Sequence, residues 1–282
     1  MSSQNLEALQ IAPGLSLTRM GFGAMQLAGP NAFGPPRDRT EALAVLRTAV
    51  DLGVTHIDTS DFYGPATVNE LVAQALHPYP DHLHVVTKVG RVRDRSGSWI
   101  PALRPAELRQ GVEDNLRRLR LDVLDLVHLR LAHGSPNSSI EEAFSVLADL
   151  QQAGLIRHLG LSGASRPQVE QARAIAPVVT VQNLFNIGNR ADGALVDWCA
   201  ANGIAYTPFY PLGGSPAGHG SAVTAVARRH RVGAQQIALA WLLHRSSSIL
   251  LIPGTSRVSH LRQNLDAARI QLTEQDRADL SV

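Results

Sequence analysis

The sequence has few of the residues that mark secreted, metal-binding or membrane proteins. Its one cysteine, Cys199, excludes an intrachain disulfide, so a reducing compartment, the cytoplasm, is expected. No stretch approaches 18 consecutive apolar residues, and the segment MSSQNLEALQIAPG lacks a basic start followed by an apolar core. The sequence therefore predicts neither a membrane span nor a secretory signal. The 11 histidines are scattered, so no metal site is predicted.

The sequence also has almost no excess of charge of either sign. It has 26 basic and 24 acidic residues, and its formal net charge is +2. Short basic clusters such as RVRDR and ARRHR are interrupted by acidic residues or confined to one segment, which is typical of solvated surface. We expect no nucleic-acid partner. The apolar fraction of 44% and the charged fraction of 18% are those of an ordinary globular protein with ample core.

Short β-type runs alternate with helix-type segments along the whole chain, which predicts a parallel sheet. Eight such units fit into 282 residues, the arrangement of a closed α/β barrel. No GxGxxG motif follows the first predicted strand, which argues against an open dinucleotide-binding sheet. We expect a (β/α)8 TIM barrel with an N-terminal β-hairpin around Pro13 and Gly14, formed by residues 1–282 as a single domain.

Lysine is the scarcest charged residue: the chain has 25 arginines and one lysine, Lys88, at the end of the predicted third strand HVVTK. Active sites of this barrel lie at the C-terminal ends of the strands. The second predicted strand runs into HIDTSDFYG, with Asp58 and Tyr63, and the fourth ends in LVHLR, with His128 and Arg130. Neighbouring strands are about 4.8 Å apart, so these side chains are expected to converge.

The residue types at these strand ends complement one another chemically. A tyrosine has a pKa of about 10 and is a poor acid at neutral pH. A nearby ammonium stabilises the phenolate, and a carboxylate holds the ammonium in place. We therefore predict that Asp58, Lys88 and Tyr63 form a general acid with a lowered tyrosine pKa, able to protonate a carbonyl oxygen as it is reduced. A compact ammonium suits this position better than the larger guanidinium.

At these residues the sequence resembles the aldo-keto reductases, whose Asp, Tyr and Lys on successive strand ends are catalytic. The resemblance covers nearly the whole chain, with GFGAMQLAG near the start, then VQN, PFYPLGG and IPGTS…HLRQNL in the same order. Within the family, GAMQLAGPNAFGPPRDR and HIDTSDFYGP are most similar to the bacterial pyridoxal reductases.

The resemblance implies an oxidoreductase that reduces a carbonyl group with hydride from NADPH and a proton from Tyr63, with pyridoxal as the candidate substrate. NADH is the weaker alternative, although Gly254 stands where many NADPH-dependent members have a lysine. Ser162, Gln182 and Asn183 match positions that hold the nicotinamide carboxamide, Phe209 a position that stacks on the ring, and the start of the last long helix would receive the adenosine 2′-phosphate. The expected cofactor-binding residues are Gly23, Ala24, Met25, Asp58, Ser162, Gln182, Phe209, Pro211, Leu212, Gly213, Gly254, Thr255, Ser256, Arg257, His260, Gln263 and Asn264.

The fourth strand departs from the family pattern. Family members usually carry a histidine five residues after the Asp that opens this strand, and counting from Asp125 that position is Arg130. Either the register shifts so that His128 takes the histidine role, or Arg130 lines the mouth and His128 lies deeper. We assign His128 to the catalytic set with Asp58, Tyr63 and Lys88. Gly163 also stands where many members have an Asn that holds the carboxamide.

Residues expected to contact the substrate are Met25, Phe33, Arg37, Trp99 and Arg130, with the loop NAFGPPRDR as part of the wall. Other interpretations stay open at this point. A broad-specificity aldehyde or ketone reductase is the alternative within the family. A lone lysine at a strand end also suits a lyase that forms a Schiff base on Lys88, and some relatives are nucleotide-sensing subunits without turnover. The expected partner is a small carbonyl compound, and the oligomeric state is left open.

Overall fold

The computed structural model describes residues 6–131, 138–213 and 220–280. Its strands are β1 (Ala8–Ala12), β2 (Leu15–Thr18), β3 (Phe22–Gly23), β4 (His56–Asp58), β5 (His84–Val89), β6 (Arg91–Arg93), β7 (Trp99–Pro101), β8 (Leu124–Arg130), β9 (Ile156–Ser162), β10 (Val178–Leu184) and β11 (Ala205–Phe209). Its α-helices are α1 (Arg39–Asp51), α2 (Thr67–Leu76), α3 (Pro105–Leu119), α4 (Glu141–Gln152), α5 (Arg166–Arg173), α6 (Gly193–Ala201), α7 (Ser221–His230), α8 (Ala234–Arg245), α9 (Val258–Asp266) and α10 (Glu274–Leu280).

Seven parallel strands form one curved sheet in the order β11-β10-β9-β8-β5-β4-β3. The segment at residues 249–252 joins the two edges, because Ile249 bridges Tyr206 and Leu251 bridges Met20, both in parallel. The predicted α/β barrel is confirmed. The expected eighth strand, ILLIPG, pairs at these isolated positions rather than as a continuous ladder.

Helices cover the outside of the sheet with apolar faces of helical spacing. In α1 the buried residues are Ala42, Val45, Leu46 and Ala49, a pattern with one side facing the sheet. The Asp38 carboxylate caps this helix by accepting from the Glu41 backbone N–H. Each fully buried Val or Leu contributes roughly 1.5–3 kcal/mol, so this face holds α1 on the barrel.

The N-terminal hairpin closes one end of the barrel, as expected. β1 and β2 pair antiparallel, and Ile11 and Ala12 pack against Val86 and Leu126 at this closed end of the barrel. The other end, where the parallel strands finish, is left for the site.

Two elements were not predicted from the sequence, the β6–β7 hairpin and α10. β6 and β7 pair antiparallel beside the open end, and the Asp94 carboxylate organises their turn by accepting from the backbone N–H groups of Ser96 and Ser98. A strand of three residues is too short to show the alternation of apolar and polar residues by which a strand is recognised in a sequence. In the described part of the chain, no helix is long and apolar enough to cross a membrane.

Candidate active site

An ion pair lies at the floor of the open end. Asp58 ends β4 and Lys88 is near the end of β5, and each is 3% exposed. The Lys88 Nζ donates to Asp58 Oδ1 at 2.6 Å and to the Thr59 carbonyl at 2.9 Å. Burial alone lowers the pKa of Lys88, but the attraction of Asp58 and Tyr63 outweighs it and raises that pKa above its usual value. Lys88 is therefore a fixed cation.

Tyr63 lies in the turn between β4 and α2, buried against this pair. Its ring centroid is 5.2 Å from Lys88 Nζ, and Phe62 packs against it edge to face at 5.3 Å. Burial raises the pKa of Tyr63, and the Lys88 ammonium opposes that rise without cancelling it. The expected net lowering of this pKa is thus wrong for the protein as it stands. Tyr63 keeps its proton at neutral pH and can donate it.

A chain of hydrogen bonds leads from the ion pair across the barrel. Gln182 donates to the second Asp58 oxygen at 2.8 Å. The Ser162 hydroxyl donates to Gln182 Oε1 at 3.2 Å and accepts from Arg130 Nη1 at 2.9 Å. The Arg130 guanidinium also lies over the Phe209 ring, 4.8 Å from its centroid. The orientation of Asp58 is therefore linked to the position of Arg130.

His128, expected in the catalytic set, lies below this chain of hydrogen bonds. Residues two apart on a strand share a face, and His128 occupies the layer beneath Arg130. Its Nε2 is 2.7 Å from Thr180 Oγ1, and a Cβ added to Gly160 would lie 2.6 Å from its ring, so Gly160 provides its space. Burial holds the pKa of His128 well below its usual value, and the ring is neutral. Of the two arrangements that the sequence allows, the structure has Arg130 at the mouth.

A cavity of about 390 Å³ opens above these groups. Its lining combines glycines, aromatic rings and charged side chains. The lining residues are Gly23, Met25, Gln26, Asp58, Phe62, Tyr63, Lys88, Arg91, Trp99, Arg130, Gln182, Phe209, Tyr210, Pro211, Leu212, Ile252 and Gly254. His128 is not among them.

A larger groove of about 850 Å³ continues from the cavity and reaches Ser256 and Arg257. Met25, Gln26, Trp99 and Tyr210 line both spaces, so the two are contiguous. Together they provide an elongated site whose far end, beside α9, has both basic and acidic side chains: Arg37, Arg257, Asp38 and Glu41.

The residues expected to bind the cofactor divide into two sets. Gly23, Met25, Asp58, Gln182, Phe209, Pro211, Leu212 and Gly254 line the cavity, and Ser256 and Arg257 line the groove. Ala24, Ser162, Thr255 and Asn264 are buried, Gly213 follows the cavity wall along the chain, and His260 and Gln263 are exposed on α9, so these seven line neither space. Asn183, matched to the carboxamide, instead accepts from the Gly163 N–H at 2.8 Å and donates to Asp192 at 2.7 Å.

The start of α9, expected to receive a phosphate, already has acceptors within the chain. The Val258 N–H donates to Glu41 Oε1 at 2.9 Å, and the Arg257 N–H donates to Thr255 Oγ1 at 3.2 Å. Glu41 was missed because it is 217 residues away in sequence and no local pattern links it to α9.

The β6–β7 hairpin, which the sequence did not predict, contributes Arg91 and Trp99 to the cavity wall. Trp99 and Arg130 line the cavity together with Met25, whereas Arg37 lines the groove. Phe33, expected in the wall, lines neither space.

Phe33 instead packs 5.2 Å from the Arg93 guanidinium. Arg93 donates to the carbonyls of Gly97, Ala32 and Asn31 and lies 3.9 Å from the Trp99 ring. It therefore fastens the hairpin to the loop at residues 29–34. Arg91 and Phe62 are lining residues that sequence reasoning missed.

Comparison with known proteins gives a family for the chain. The sequence pattern of the Aldo/keto reductase family matches residues 19–218 and 219–281. The chain is 54% identical over 264 residues to the pyridoxine 4-dehydrogenase of Escherichia coli (strain K12), which covers 92% of either protein.

Solved structures of this family have the same fold. The crystal structure of the thermostable aldo-keto reductase Tm1743 with the inhibitor epalrestat has a TM-score of 0.82 and 29% identity, and the match covers 98% of both chains. An aldo/keto reductase from Klebsiella pneumoniae in complex with NADP and acetate has a TM-score of 0.80 and 24% identity, covering 98% of this chain and 94% of the other. The second likeness bears on the fold alone.

Proposed function

Because the chain belongs to the aldo/keto reductase family and is therefore an oxidoreductase that acts on CH–OH and carbonyl groups, we propose that it is an NADPH-dependent reductase of aldehydes, with pyridoxal, reduced to pyridoxine, as the candidate substrate. The observation that carries the proposal is the buried set of Asp58, Lys88 and Tyr63 at the floor of the cavity. The E. coli relative, a pyridoxine 4-dehydrogenase by name, supports the choice of substrate.

The shape and chemistry of the cavity fit a nicotinamide. Gly23 and Gly254 meet backbone to backbone at its edge, since a Cβ on Gly254 would lie 2.6 Å from the Gly23 carbonyl oxygen. Phe209 and Gln182 line the cavity together, a ring and an amide beside the space that a planar carboxamide would enter. When bound, the cofactor supplies hydride. Arg37 and Arg257 line the groove together with Asp38 and Glu41, so the choice of NADPH over NADH is supported by the Klebsiella pneumoniae neighbour in complex with NADP rather than by an excess of positive charge.

The chain's own residues handle the proton. Tyr63 lines the cavity, holds the proton at its hydroxyl and transfers it to the carbonyl oxygen as negative charge develops there. The Lys88 ammonium stabilises the resulting phenolate, and Asp58 fixes Lys88 in place. Phe62 and Trp99, packed edge to face at 5.5 Å, give the cavity an aromatic wall beside this step.

The same geometry disfavours a lyase that forms a Schiff base. A nucleophilic lysine needs a neutral amine, and its pKa must be lowered to provide one. Lys88 is held as an ammonium by Asp58 at 2.6 Å, and its pKa is raised.

The test is NADPH consumption with pyridoxal beside 4-nitrobenzaldehyde, in the wild type and in Tyr63→Phe. Tyr79→Phe is the matched control, because its hydroxyl donates to the Leu119 carbonyl outside the cavity. We expect saturable turnover of pyridoxal, lost in Tyr63→Phe and kept in Tyr79→Phe. Turnover of 4-nitrobenzaldehyde alone would indicate a broad-specificity reductase, and tight NADPH binding without any turnover would indicate a nucleotide sensor. A cytoplasmic location is part of the proposal, to be checked by cell fractionation.

A further inference from the structure

The charges on the cavity wall do not balance. Among the described residues that line it, three are cationic, Lys88, Arg91 and Arg130, and Asp58 is the acidic one. The ion pair at 2.6 Å neutralises Lys88 with Asp58, which leaves the charge of two guanidinium groups facing the cavity.

We propose that Arg91 and Arg130 bind an anionic oxygen of the substrate, so that the enzyme prefers carbonyl compounds that carry a carboxylate or phenolate near the reacting group. This inference rests on the proposed reductase function and specifies its substrate class. Pyridoxal belongs to the class, since its phenolic oxygen is on the ring carbon next to the aldehyde.

The two arginines occupy the same side of the cavity. Arg130 ends β8, and Arg91 of the hairpin donates to the carbonyl of the following residue, Leu131, at 3.4 Å. A second bond from Arg91, to the Trp99 carbonyl, is 3.5 Å long. Both bonds are at the limit of hydrogen-bond length. The Arg91 guanidinium is thus held only by two long hydrogen bonds, and its remaining N–H groups can donate to a ligand.

The position of Arg130 is more closely defined. Ser162 and Phe209 fix its guanidinium, and Gly163 leaves room for it, since a Cβ there would lie 3.4 Å from Arg130 Nη1. Its charge is close enough to Tyr63 to favour the phenolate. An anion bound by Arg130 therefore lies near the carbonyl that Tyr63 protonates.

Placing two guanidinium groups together in a partly buried wall is unfavourable without an anion. They repel each other, and burial lowers the pKa of both. A carboxylate or phenolate removes this repulsion and accepts paired N–H bonds from the planar forks. A neutral aldehyde of the same shape offers neither benefit.

The experiment compares 3- and 4-formylbenzoate with the corresponding formylbenzamides, which have the same shape without the charge. We expect the KM of at least one benzoate to be about 10- to 100-fold below that of its amide, the range of a charge-assisted hydrogen bond. The ratio should fall toward one in Arg91→Met and in Arg130→Met and be partly kept in Arg91→Lys. Arg95→Met, which removes an exposed charge from the same hairpin, should leave the ratio unchanged.

Binding measurements separate the inference from the function on which it rests. Hydroxymethylbenzoates and their amides are titrated against the NADPH-loaded protein by calorimetry, and NADPH alone against each variant. Equal KM values for acids and amides, with turnover intact, would overturn the inference and leave the reductase. Weaker NADPH binding by Arg91→Met would also overturn it, because that arginine would then serve the cofactor. If no aldehyde turns over, the proposed function fails. The binding measurement then still tests the inference: tighter binding of the acids than of their amides supports it, and equal binding overturns it.

Discussion

Replacing Asp58 with Asn removes one charge from the most buried ion pair of the site. Asp58 and Lys88 are each 3% exposed, so the amide leaves an ammonium buried without its counter-charge. Breaking such a pair costs about 3–5 kcal/mol. A chain of 282 residues has an unfolding entropy of about 0.6 kcal/mol/K near its Tm. We therefore expect the Tm of Asp58→Asn to fall by roughly 5–8 °C.

The variant should also change how stability depends on pH. In the wild type the pKa of Lys88 is raised, so its contribution is complete below the unfolded pKa of about 10.4 and is lost as the pH rises through the folded value. In Asp58→Asn the main attraction is gone and burial lowers the pKa. The folded state then binds fewer protons than the unfolded state. Stability should rise with pH toward about pH 10, by at most roughly 1.4 kcal/mol per unit.

Thermal unfolding followed by circular dichroism at about pH 7 and about pH 9 tests both effects. Asp51→Asn, an exposed acid at the end of α1, is the control for loss of one negative charge. The double variant Asp58→Asn/Lys88→Met, which leaves no buried charge in the pair, should recover part of the lost stability. A Tm for Asp58→Asn equal to that of Asp51→Asn, or the same pH dependence in both, would refute the reasoning.

Two further predictions concern the proton donor and the hairpin. Because burial raises the pKa of Tyr63, the rate of aldehyde reduction should stay level from neutral pH to about pH 9, and a decline in the wild-type rate centred near neutral pH would contradict this. Arg93→Met removes three bonds to main-chain carbonyls and the contact with Trp99, so it should raise the aldehyde KM several-fold and speed proteolysis of residues 91–101, with NADPH affinity kept. Arg95→Met is the comparison, and equal protease resistance in the two variants would show that Arg93 does not hold the hairpin.

The sequence was sufficient for those parts of the site that depend on local pattern and strand order. Asp58 and Lys88 end strands that neighbour each other in the sheet, and Tyr63 follows one of them, so strand-end position alone predicts that they meet. The contact of Glu41 with the start of α9 could not be found in this way, because Glu41 reaches Val258 from 217 residues away. The hairpin that supplies Arg91 and Trp99 is made of three-residue strands, which carry no usable period.

The fourth parallel strand of the barrel, β8, shows why a single strand cannot reveal which of its side chains reaches a site. His128 and Arg130 have the same parity and both face the barrel interior, so their own pattern does not separate them. The neighbouring strand β9 and the residue that follows it separate the two positions. A Cβ at Gly160 would lie 2.6 Å from the His128 ring, and one at Gly163 would lie 3.4 Å from Arg130 Nη1. The absence of side chains at these two glycines lets the imidazole settle against Thr180 and the guanidinium reach Ser162. The side chain of this strand that lines the cavity is consequently a guanidinium, and the imidazole beneath it is neutral.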